Sequence, residues 1–403
     1  MINARPVSAE TLASIPWMSA KSLSHAMREV SLRGPNDVNT WMRLISRADM
    51  ICASFSAKQS ALVFNSFSRV MDVPDLIGSF DAFVKRYVRK FLVKVIPTCS
   101  PLDSAQLVHA MGEFHKCLNG TEQNVIATVM ESLREKIPLM QDRELSMTAC
   151  GLIKLRNRDP LIATLVLESG LRLGGELSDQ SLAQIVNLAA NCQPGSGSNL
   201  CDLVNRMIIQ TPSRTRDMNP RTMALLLTSL VKLRVSNPEF VSSLSDSILS
   251  PSNSRLTSSS FQTLAVILRS LQKMGIGERN PLVLHKLVDL MNSRSFGDQT
   301  TGDLCMYVNG VARMKGYDED VMTCLRLILA RELTPVQVIL VLQSFSRLKD
   351  PLGCDYLAGM IMDHLKLHSE SFSKDQLNAI AVAVDSSPLG EFHIARELFS
   401  SRA

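Results

Sequence analysis

Aromatic residues make up only 5% of this 403-residue chain, with four Tyr and two Trp. Proteins that bind single-stranded nucleic acid without sequence preference stack bases on aromatic rings. With so few rings, we expect any RNA contact to use phosphate groups and polar side chains. The sequence also lacks a run of about eighteen apolar residues and the charged and apolar regions of a secretory signal. We therefore expect neither a transmembrane helix nor a secretory signal.

The sequence lacks recognisable catalytic and metal-binding motifs. None of the nine cysteines forms a CxxC pair, so we interpret them as buried thiols in a reducing compartment and expect no zinc site. His364 and His368 are spaced as two metal ligands on a helix would be, but no HExxH sequence accompanies them, and we interpret them as polar-face residues. No GxSxG or Walker sequence occurs. We expect a non-enzymatic protein without a cofactor.

The charge balance is mildly basic, with 43 Lys and Arg against 38 Asp and Glu, a formal net charge of +5. This balance permits an anionic partner without demanding one. Non-specific nucleic-acid binding depends on local clusters of cations rather than on the total charge, so the positions of the Lys and Arg residues carry the argument.

One apolar helical pattern recurs along the chain. Segments such as MALLLTSLVKL (223–233), LAVILRSLQKM (264–274) and VILVLQSFSRL (338–348) are apolar at helical spacing and basic near their end. The recurring position falls about 40 residues apart at Arg28, Arg69, Lys116, Lys154, Asn191, Lys232, Lys273, Arg313 and Arg347. This period predicts a repeat protein.

Helix-start signals divide each repeat into two helices. Asp159-Pro160, Asn237-Pro238, Asn280-Pro281 and Asp350-Pro351 each place a capping side chain before a Pro at the first helical position. Ser100-Pro101, Asn219-Pro220 and Thr334-Pro335 announce the other helix in the same way, as Ser178 and Ser373 do without Pro. Polar segments 193–198 and 250–259 are predicted to be loops.

The sequence therefore predicts an all-α fold, an α-solenoid of about nine to ten helix-turn-helix repeats of roughly 40 residues. In this class each unit packs on its neighbours, so a long chain needs no single growing core. We predict one array over residues 1–403, with an N-terminal extension at 1–17, repeats over 18–385 and a C-terminal cap at 386–403.

The repeat resembles the octotricopeptide and heptatricopeptide repeats, and is similar to the repeats of the FAST-kinase-like and RAP-domain proteins. Residues 177–192, 219–240 and 333–353 carry the resemblance. It implies an organellar RNA-binding protein acting in RNA maturation or stability, or in ribosomes. The RAP domain itself is not expected, because about eighteen residues remain after residue 385.

The recurring cation is the first candidate contact. Equivalent positions in a solenoid align, so Arg69, Lys116, Lys154, Lys232, Lys273, Arg313 and Arg347 are predicted to form a cationic ladder for RNA phosphates. The alternative is that each cation complements the dipole at a helix C-terminus. The two interpretations are compatible.

A second candidate is the predicted helix 83–97. Its apolar stripe consists of Val84, Tyr87, Val88, Phe91, Leu92 and Val95, and its opposite face holds Lys85, Arg86, Arg89, Lys90 and Lys94 without an acid. Like charges at this spacing repel, which favours an anionic partner such as RNA over a plain solvated face, a membrane surface or an acidic protein.

Two loop clusters are weaker RNA-binding candidates: Arg214, Arg216 and Arg221, and Lys154, Arg156 and Arg158.

Together these features favour an organellar RNA-associated repeat protein that acts by binding rRNA or mRNA within a larger complex, such as a mitochondrial ribosome or RNA-processing assembly. The resemblance implies the mitochondrial matrix, with plastid and cytoplasm as alternatives. The other hypothesis is a protein–protein scaffold of the HEAT or armadillo kind.

Overall fold

The computed structural model describes residues 9–33, 37–70, 73–114, 123–192, 198–210, 215, 217–250, 253–312, 314, 318–345, 354–367 and 370–385. The fold is all-α, without a β-strand among these residues, and its helices pack on sequence neighbours as in a solenoid. The predicted fold class is confirmed. The chain forms two compact units, one of Met1–Thr211 with Lys232–Val235, the other of Pro212–Val231 with Ser236–Ala403.

The first unit contains two rows of helices. The first helix of each hairpin (the A helices) forms one row: α2 (Ala20–Arg33), α4 (Ala57–Phe67), α7 (Pro101–Glu113), α9 (Asp142–Lys154) and α11 (Asp179–Asn191). The second helices (the B helices) form the other: α3 (Val38–Ile51), α5 (Pro74–Tyr87) with α6 (Val93–Val95), α8 (Gln123–Lys136), α10 (Pro160–Leu173) and α12 (Ser198–Ile209). The short α1 (Ala9–Ser14) lies in the predicted extension.

The second unit repeats this arrangement. Its A helices are α13 (Pro220–Leu233, whose last two residues belong to the first unit), α16 (Phe261–Lys273), α19 (Thr301–Val311), α21 (Pro335–Phe345) and α23 (Lys374–Asp385). Its B helices are α14 (Pro238–Leu249), α18 (Pro281–Asn292), α20 (Asp318–Leu329) and α22 (Cys354–Leu367). Two one-turn helices, α15 (Ser254–Thr257) and α17 (Ile276–Arg279), lie between them. The segment 250–259, predicted to be a loop, thus contains a turn of helix. Residues 193–197 and the predicted cap 386–403 lie outside the described residues.

The predicted caps begin these helices. Asp159 accepts a hydrogen bond from Leu161 N at 2.9 Å, and Asn237 accepts one from Phe240 N at 2.9 Å. Ser100 closes a capping box with Asp103. Asn280 precedes the predicted Pro but makes no side-chain cap bond. Asp350-Pro351 lies outside the described residues.

Small residues let neighbouring A helices approach closely. They lie three or four residues before the recurring basic position, at Ser66, Gly112, Gly151, Ser229, Ser270, Gly310 and Ser344. At the α7–α9 pair, a Cβ on Gly112 would lie 2.8 Å from the Gly151 carbonyl oxygen. No real Cβ tolerates that distance, so both helices need glycine there.

A cation within a B helix, or in the residues that follow it, ties six hairpins of the described chain closed. In each of these hairpins, the side chain lies within hydrogen-bond distance of a backbone carbonyl that precedes the A helix of the same hairpin. These pairs, which we term clasps, are Arg47–Met18, Lys136–Ile96, Arg172–Met140, Arg255–Asp217, Arg294–Thr257 and Arg331–Gln299. Lys136 and Arg172 also lie in the last turn of their own helices, where a cation complements the negative helix end. The sequence pattern predicted only the cation of the A helix and gave no sign of this second basic position.

The scarce aromatic residues lie mainly in the core. In the first unit, Phe64 and Phe80 each contact Phe114, with ring centroids 5.5 and 5.1 Å apart. Tyr87 is fully buried and its hydroxyl lies 2.5 Å from the Ser60 hydroxyl. In the second unit, Tyr307 lies between Phe261 and Phe296. These rings are committed to packing.

Candidate nucleic-acid interface

The basic segment predicted over 83–97 is the C-terminal part of a longer helix. Helix α5 continues through a π-helical turn, Val88–Leu92, into α6, and Ile96–Thr98 forms a 3₁₀ turn. Val84, Tyr87, Val88 and Leu92 are fully buried. The predicted apolar stripe is therefore the packed face of the helix. Single π turns inside α-helices are rare and are frequent at functional sites.

Two cations of this segment have acidic partners. Lys85 Nζ lies 2.7 Å from an Asp81 carboxylate oxygen on the same helix, and Arg86 Nη1 lies 2.6 Å from one of Asp49 on α3. The expectation of a basic face without acidic partners is wrong at these two positions. Asp81 lies just before the predicted segment 83–97, and Asp49 lies on α3, far away in the sequence.

Lys90 and Lys94 differ from that pair. Both are exposed, and neither has an ion-pair partner among the described residues. They lie four residues apart on one face of the helix. The side chain of Arg89 lies outside the described residues. The basic segment thus presents two cations whose charge is available to a ligand.

The recurring basic position lies at the C-terminal ends of A helices, as predicted. Lys154 and Lys273 are the last residues of α9 and α16, Lys232 is the penultimate residue of α13, and Arg69 follows α4 by two residues. We call these ends the cation edge of each unit. Arg28 departs from the pattern, since it lies within α2, five residues before its end. Lys116, Arg313 and Arg347 lie outside the described residues.

Lys154 at the cation edge has a local role. Its ammonium group pairs with the Glu113 carboxylate at the end of α7, and His109 Nε2 lies 3.9 Å from the same carboxylate. Burial lowers the pKa of His109, and the Lys154 and Arg69 charges lower it further, against the opposing effect of Glu113. Lys154 therefore joins adjacent A helices, and part of its charge is compensated.

Two arginines follow the cation edge in an unusual backbone conformation. Arg156 and Arg234 have φ angles of 53° and 56°, in the left-handed region. Each lies two residues after the recurring lysine, in the sequences Lys154-Leu155-Arg156 and Lys232-Leu233-Arg234, and each is exposed. The equivalent residue after Lys273 is Gly275, with φ 74°. Glycine takes this conformation without strain, whereas other residues pay about 1 kcal/mol or more. Arg158, which follows in the same loop as Arg156, is also exposed.

The third predicted arginine cluster is only partly described. Arg221 is exposed in the first turn of α13, whereas Arg214 and Arg216 lie outside the described residues. Arg221 borders a polar cleft of about 340 Å³ together with Arg255, which the sequence analysis did not single out. The sequence gives no signal that Arg221 and Arg255 lie at the same cleft. They are 34 positions apart, and Arg255 lies in a segment predicted to be a loop.

The described residues contain no group of three or more His, Cys, Asp or Glu side chains that could hold a metal ion. His364 Nε2 lies 3.1 Å from the Leu329 carbonyl oxygen at the end of α20, and His368 lies outside the described residues. No described helix has the length and apolar character needed to cross a bilayer.

The seven described cysteines carry free thiols, and five of them, Cys52, Cys99, Cys192, Cys305 and Cys324, are buried. This agrees with the expectation of thiols packed as small apolar side chains. Cys150 and Cys201 are half-buried, and Cys117 and the side chain of Cys354 lie outside the described residues.

No model of a known protein family matches the chain, and no curated protein matches it.

Proposed function

We propose that this protein is an RNA-associated helical-repeat protein that acts by binding, as a subunit of a ribonucleoprotein. The observation that carries the proposal is the pair of exposed arginines, Arg156 and Arg234, in left-handed conformations at the same register of two repeats. A strained residue is retained where the surroundings or a function require its side chain. Gly275 at this register indicates that the backbone itself needs no side chain there.

The chemistry of an exposed arginine suits a phosphate ligand. The guanidinium group presents several donors in a fixed plane and binds phosphate oxygens in pairs. Arg156 and Arg234 each follow a lysine of the cation edge by two residues. Lys90 and Lys94 add two further exposed cations in the first unit. Phosphate contacts of this kind position RNA without reading its sequence.

The cellular assignment rests on the resemblance to octotricopeptide-like repeats. We propose that the protein works in the mitochondrial matrix, in a mitochondrial ribosome or RNA-processing complex, with rRNA or mRNA as its RNA partner. Recovery of the protein from cells under native conditions, followed by sequencing of the bound RNA, tests this assignment. Cytosolic RNA alone in the recovered material would contradict it.

RNA binding itself is tested by titrating the full-length protein with single-stranded RNA over a range of salt concentrations. About six phosphate contacts predict a slope near −4 in a plot of log affinity against log salt. Replacing Arg156 and Arg234 by Gly should reduce the magnitude of the slope by about 1.4, since each phosphate contact contributes about 0.7.

The same double variant should become more stable. Glycine relieves the left-handed strain at both positions, by roughly 1 kcal/mol each. Higher stability with weaker RNA binding is the combined result expected of strained functional residues. Gly275→Arg is the matched reverse variant and should lose stability. Unchanged RNA affinity in the Arg156→Gly, Arg234→Gly protein would contradict the role given to these arginines.

A protein–protein scaffold is the second candidate function. In its favour is an apolar groove of about 420 Å³ in the first unit, with Leu12, Ile15, Met42 and Met50 in its lining. Trp17 is 85% exposed and Met50 66% exposed, and exposed apolar side chains of this size are typical of protein contacts. A scaffold would bind RNA weakly at every salt concentration, without the steep slope expected above.

A further inference from the structure

The polar cleft in the second unit lies between the start of α13 and the segment that joins α15 to α16. Asn219, Arg221, Arg255, Ser258, Ser259 and Ser260 contribute to its lining. Two of these side chains are cationic, and none of the residues that line the cleft is acidic. Its volume of about 340 Å³ is ample for a phosphate group with its attached sugar oxygens. The cleft therefore has the charge and the room for an oxyanion.

Buried residues hold both walls of the cleft. Met218 and Leu256 are 2% and 1% exposed, and they anchor the segments that carry Arg221 and Arg255. Thr215, just before the first wall, bonds through its hydroxyl to Ser243 at 2.6 Å and accepts a bond from Ser247 at its carbonyl oxygen at 3.1 Å. The hydrogen bonds of Thr215 thus fix the first wall against α14, which lowers the entropic cost of binding.

Arg255 is oriented by its clasp. One of its Nη atoms donates to the Asp217 carbonyl oxygen, which directs the guanidinium toward the opposite wall. Five N–H groups are available on a guanidinium, so several donors remain after this bond. Arg221 lies on that opposite wall, and its guanidinium has no hydrogen-bond or ion-pair partner among the described residues.

Backbone and hydroxyl groups add to the two arginines. The N-termini of α13 and α16 both border the cleft, and the first turn of a helix carries a partial positive charge. The hydroxyls of Ser258 and Ser259 now donate to the Arg255 carbonyl oxygen, at 3.1 and 2.6 Å, and a rotation about Cβ–Oγ would turn them toward a ligand. These groups match the several oxygens of a phosphate better than a single point charge would.

We infer that this cleft is a phosphate seat, in which Arg221 and Arg255 hold one phosphodiester group of the RNA. The inference rests on the proposed function for the identity of the phosphate's source. The seat is separate from the cation edge, because the cleft lies at the start of α16 and Lys273 at its end, about 20 Å along the helix axis. Bound RNA would then touch the second unit at both ends of an A helix.

The test compares RNA binding by the full-length protein and its Arg221→Gln variant. Removing a charged hydrogen-bond donor to phosphate should weaken binding about tenfold and lower the magnitude of the salt slope by about 0.7. The loss should be equal for different homopolymer RNAs, because a phosphate contact carries no sequence information. Arg326→Gln, which removes an exposed arginine from B helix α20, is the matched charge control and should bind as the unaltered protein does.

Arg255 needs a second control, because its replacement opens a clasp. Arg255→Gln should weaken RNA binding as Arg221→Gln does, and the double variant should lose little more than either alone, since both arginines hold one group. Arg331→Gln opens the equivalent clasp of another hairpin and should leave RNA affinity unchanged. Equal losses in Arg255→Gln and Arg331→Gln, with no loss in Arg221→Gln, would overturn the inference.

Inorganic phosphate separates this inference from the proposed function. At matched ionic strength, phosphate should raise the unfolding temperature of the unaltered protein but not of the Arg221→Gln, Arg255→Gln protein. If the unaltered protein binds no RNA yet shows this phosphate effect, the proposed function fails and the oxyanion seat stands. If RNA binds equally well to both proteins and phosphate has no effect, the seat is refuted while the proposed function stands.

Discussion

The backbone of Gly151 on α9 lies directly against the carbonyl of Val108 on α7, so that a Cβ added to Gly151 would fall 2.5 Å from the Val108 carbonyl oxygen. Val108 is fully buried and cannot move into open space. Gly151→Ala should therefore force the two A helices apart and destabilise the protein by about 1–3 kcal/mol. Equilibrium unfolding in urea measures this change.

Gly78 provides the matched control for that substitution. It also lies within a helix, α5, but a Cβ there would meet nothing within 4 Å. Gly78→Ala should stabilise the protein by about 0.5–1 kcal/mol through the better helix propensity of alanine. A neutral Gly151→Ala would show that the α7–α9 packing is looser than the structure indicates.

The ion pairs of the basic helix predict which of its lysines bind RNA. Lys90→Gln with Lys94→Gln should reduce the magnitude of the salt slope by about 1.4, because both charges are available to phosphates. Lys85→Gln should change RNA affinity little, since Asp81 already compensates that charge. Filter binding over a salt series measures both, and equal effects of the two replacements would refute this distinction.

The clasps predict a stability effect that is independent of RNA. Arg331 donates to the Gln299 carbonyl oxygen at 2.7 Å and to that of Gly297 at 3.0 Å. Arg331→Gln should destabilise the protein by about 1 kcal/mol, because a charged donor and two carbonyl groups lose their bonds. Arg331→Lys should recover part of that loss by reaching one carbonyl. Denaturant midpoints give the comparison, with Arg326→Gln expected to be neutral.

The buried thiols predict how stability depends on pH. Burial raises the pKa of Cys305 to about 12, and burial together with the Asp320 charge raises that of Cys324 to about 12, from an ordinary value of 9.0. In the unfolded chain these thiols ionise near pH 9, whereas in the fold they stay protonated. Their contribution to stability is therefore complete below pH 9 and is lost between pH 9 and 12.

Urea unfolding at pH 8 and at pH 10.5 measures this loss, and the drop in the free energy of unfolding should be smaller in the Cys305→Ala, Cys324→Ala protein.

Thiol reagents test the burial of the cysteines. At pH 8 the half-buried Cys201 should react in the folded protein, and Cys305 only after unfolding, because the thiolate is the reactive form and the buried thiol is also inaccessible. Rapid labelling of Cys305 in the folded protein would contradict its described burial.

Local signals in the sequence predicted much of the fold. Ser100, Asp159 and Asn237 cap helices because each acts on backbone within three residues, and such short-range chemistry is visible in sequence. The apolar stripe from Val84 to Leu92 was predictable for the same reason, since one helix face is a fixed pattern of spacings.

Long-range partners were not predictable in this way. Asp49 is 37 residues from Arg86, and nothing in either local sequence indicates that they meet. The left-handed conformation of Arg156 was also missed, because glycine is the ordinary residue at such a helix end and arginine gives no signal. Gly275 was the one signal of this conformation, because it follows Lys273 by two residues, as Arg156 follows Lys154.

The clasps have a consequence for how such a chain can vary in length. Donor and acceptor of each clasp belong to a single hairpin, as in Arg172 with Met140 or Arg294 with Thr257. Duplication or deletion of one full repeat would therefore add or remove the donor and the acceptor of a clasp together. No backbone carbonyl would lose its hydrogen-bond donor. Insertion or deletion of whole repeats would preserve these hydrogen bonds. A deletion that ends inside a hairpin would remove the donor or the acceptor of a clasp and leave the other without its partner.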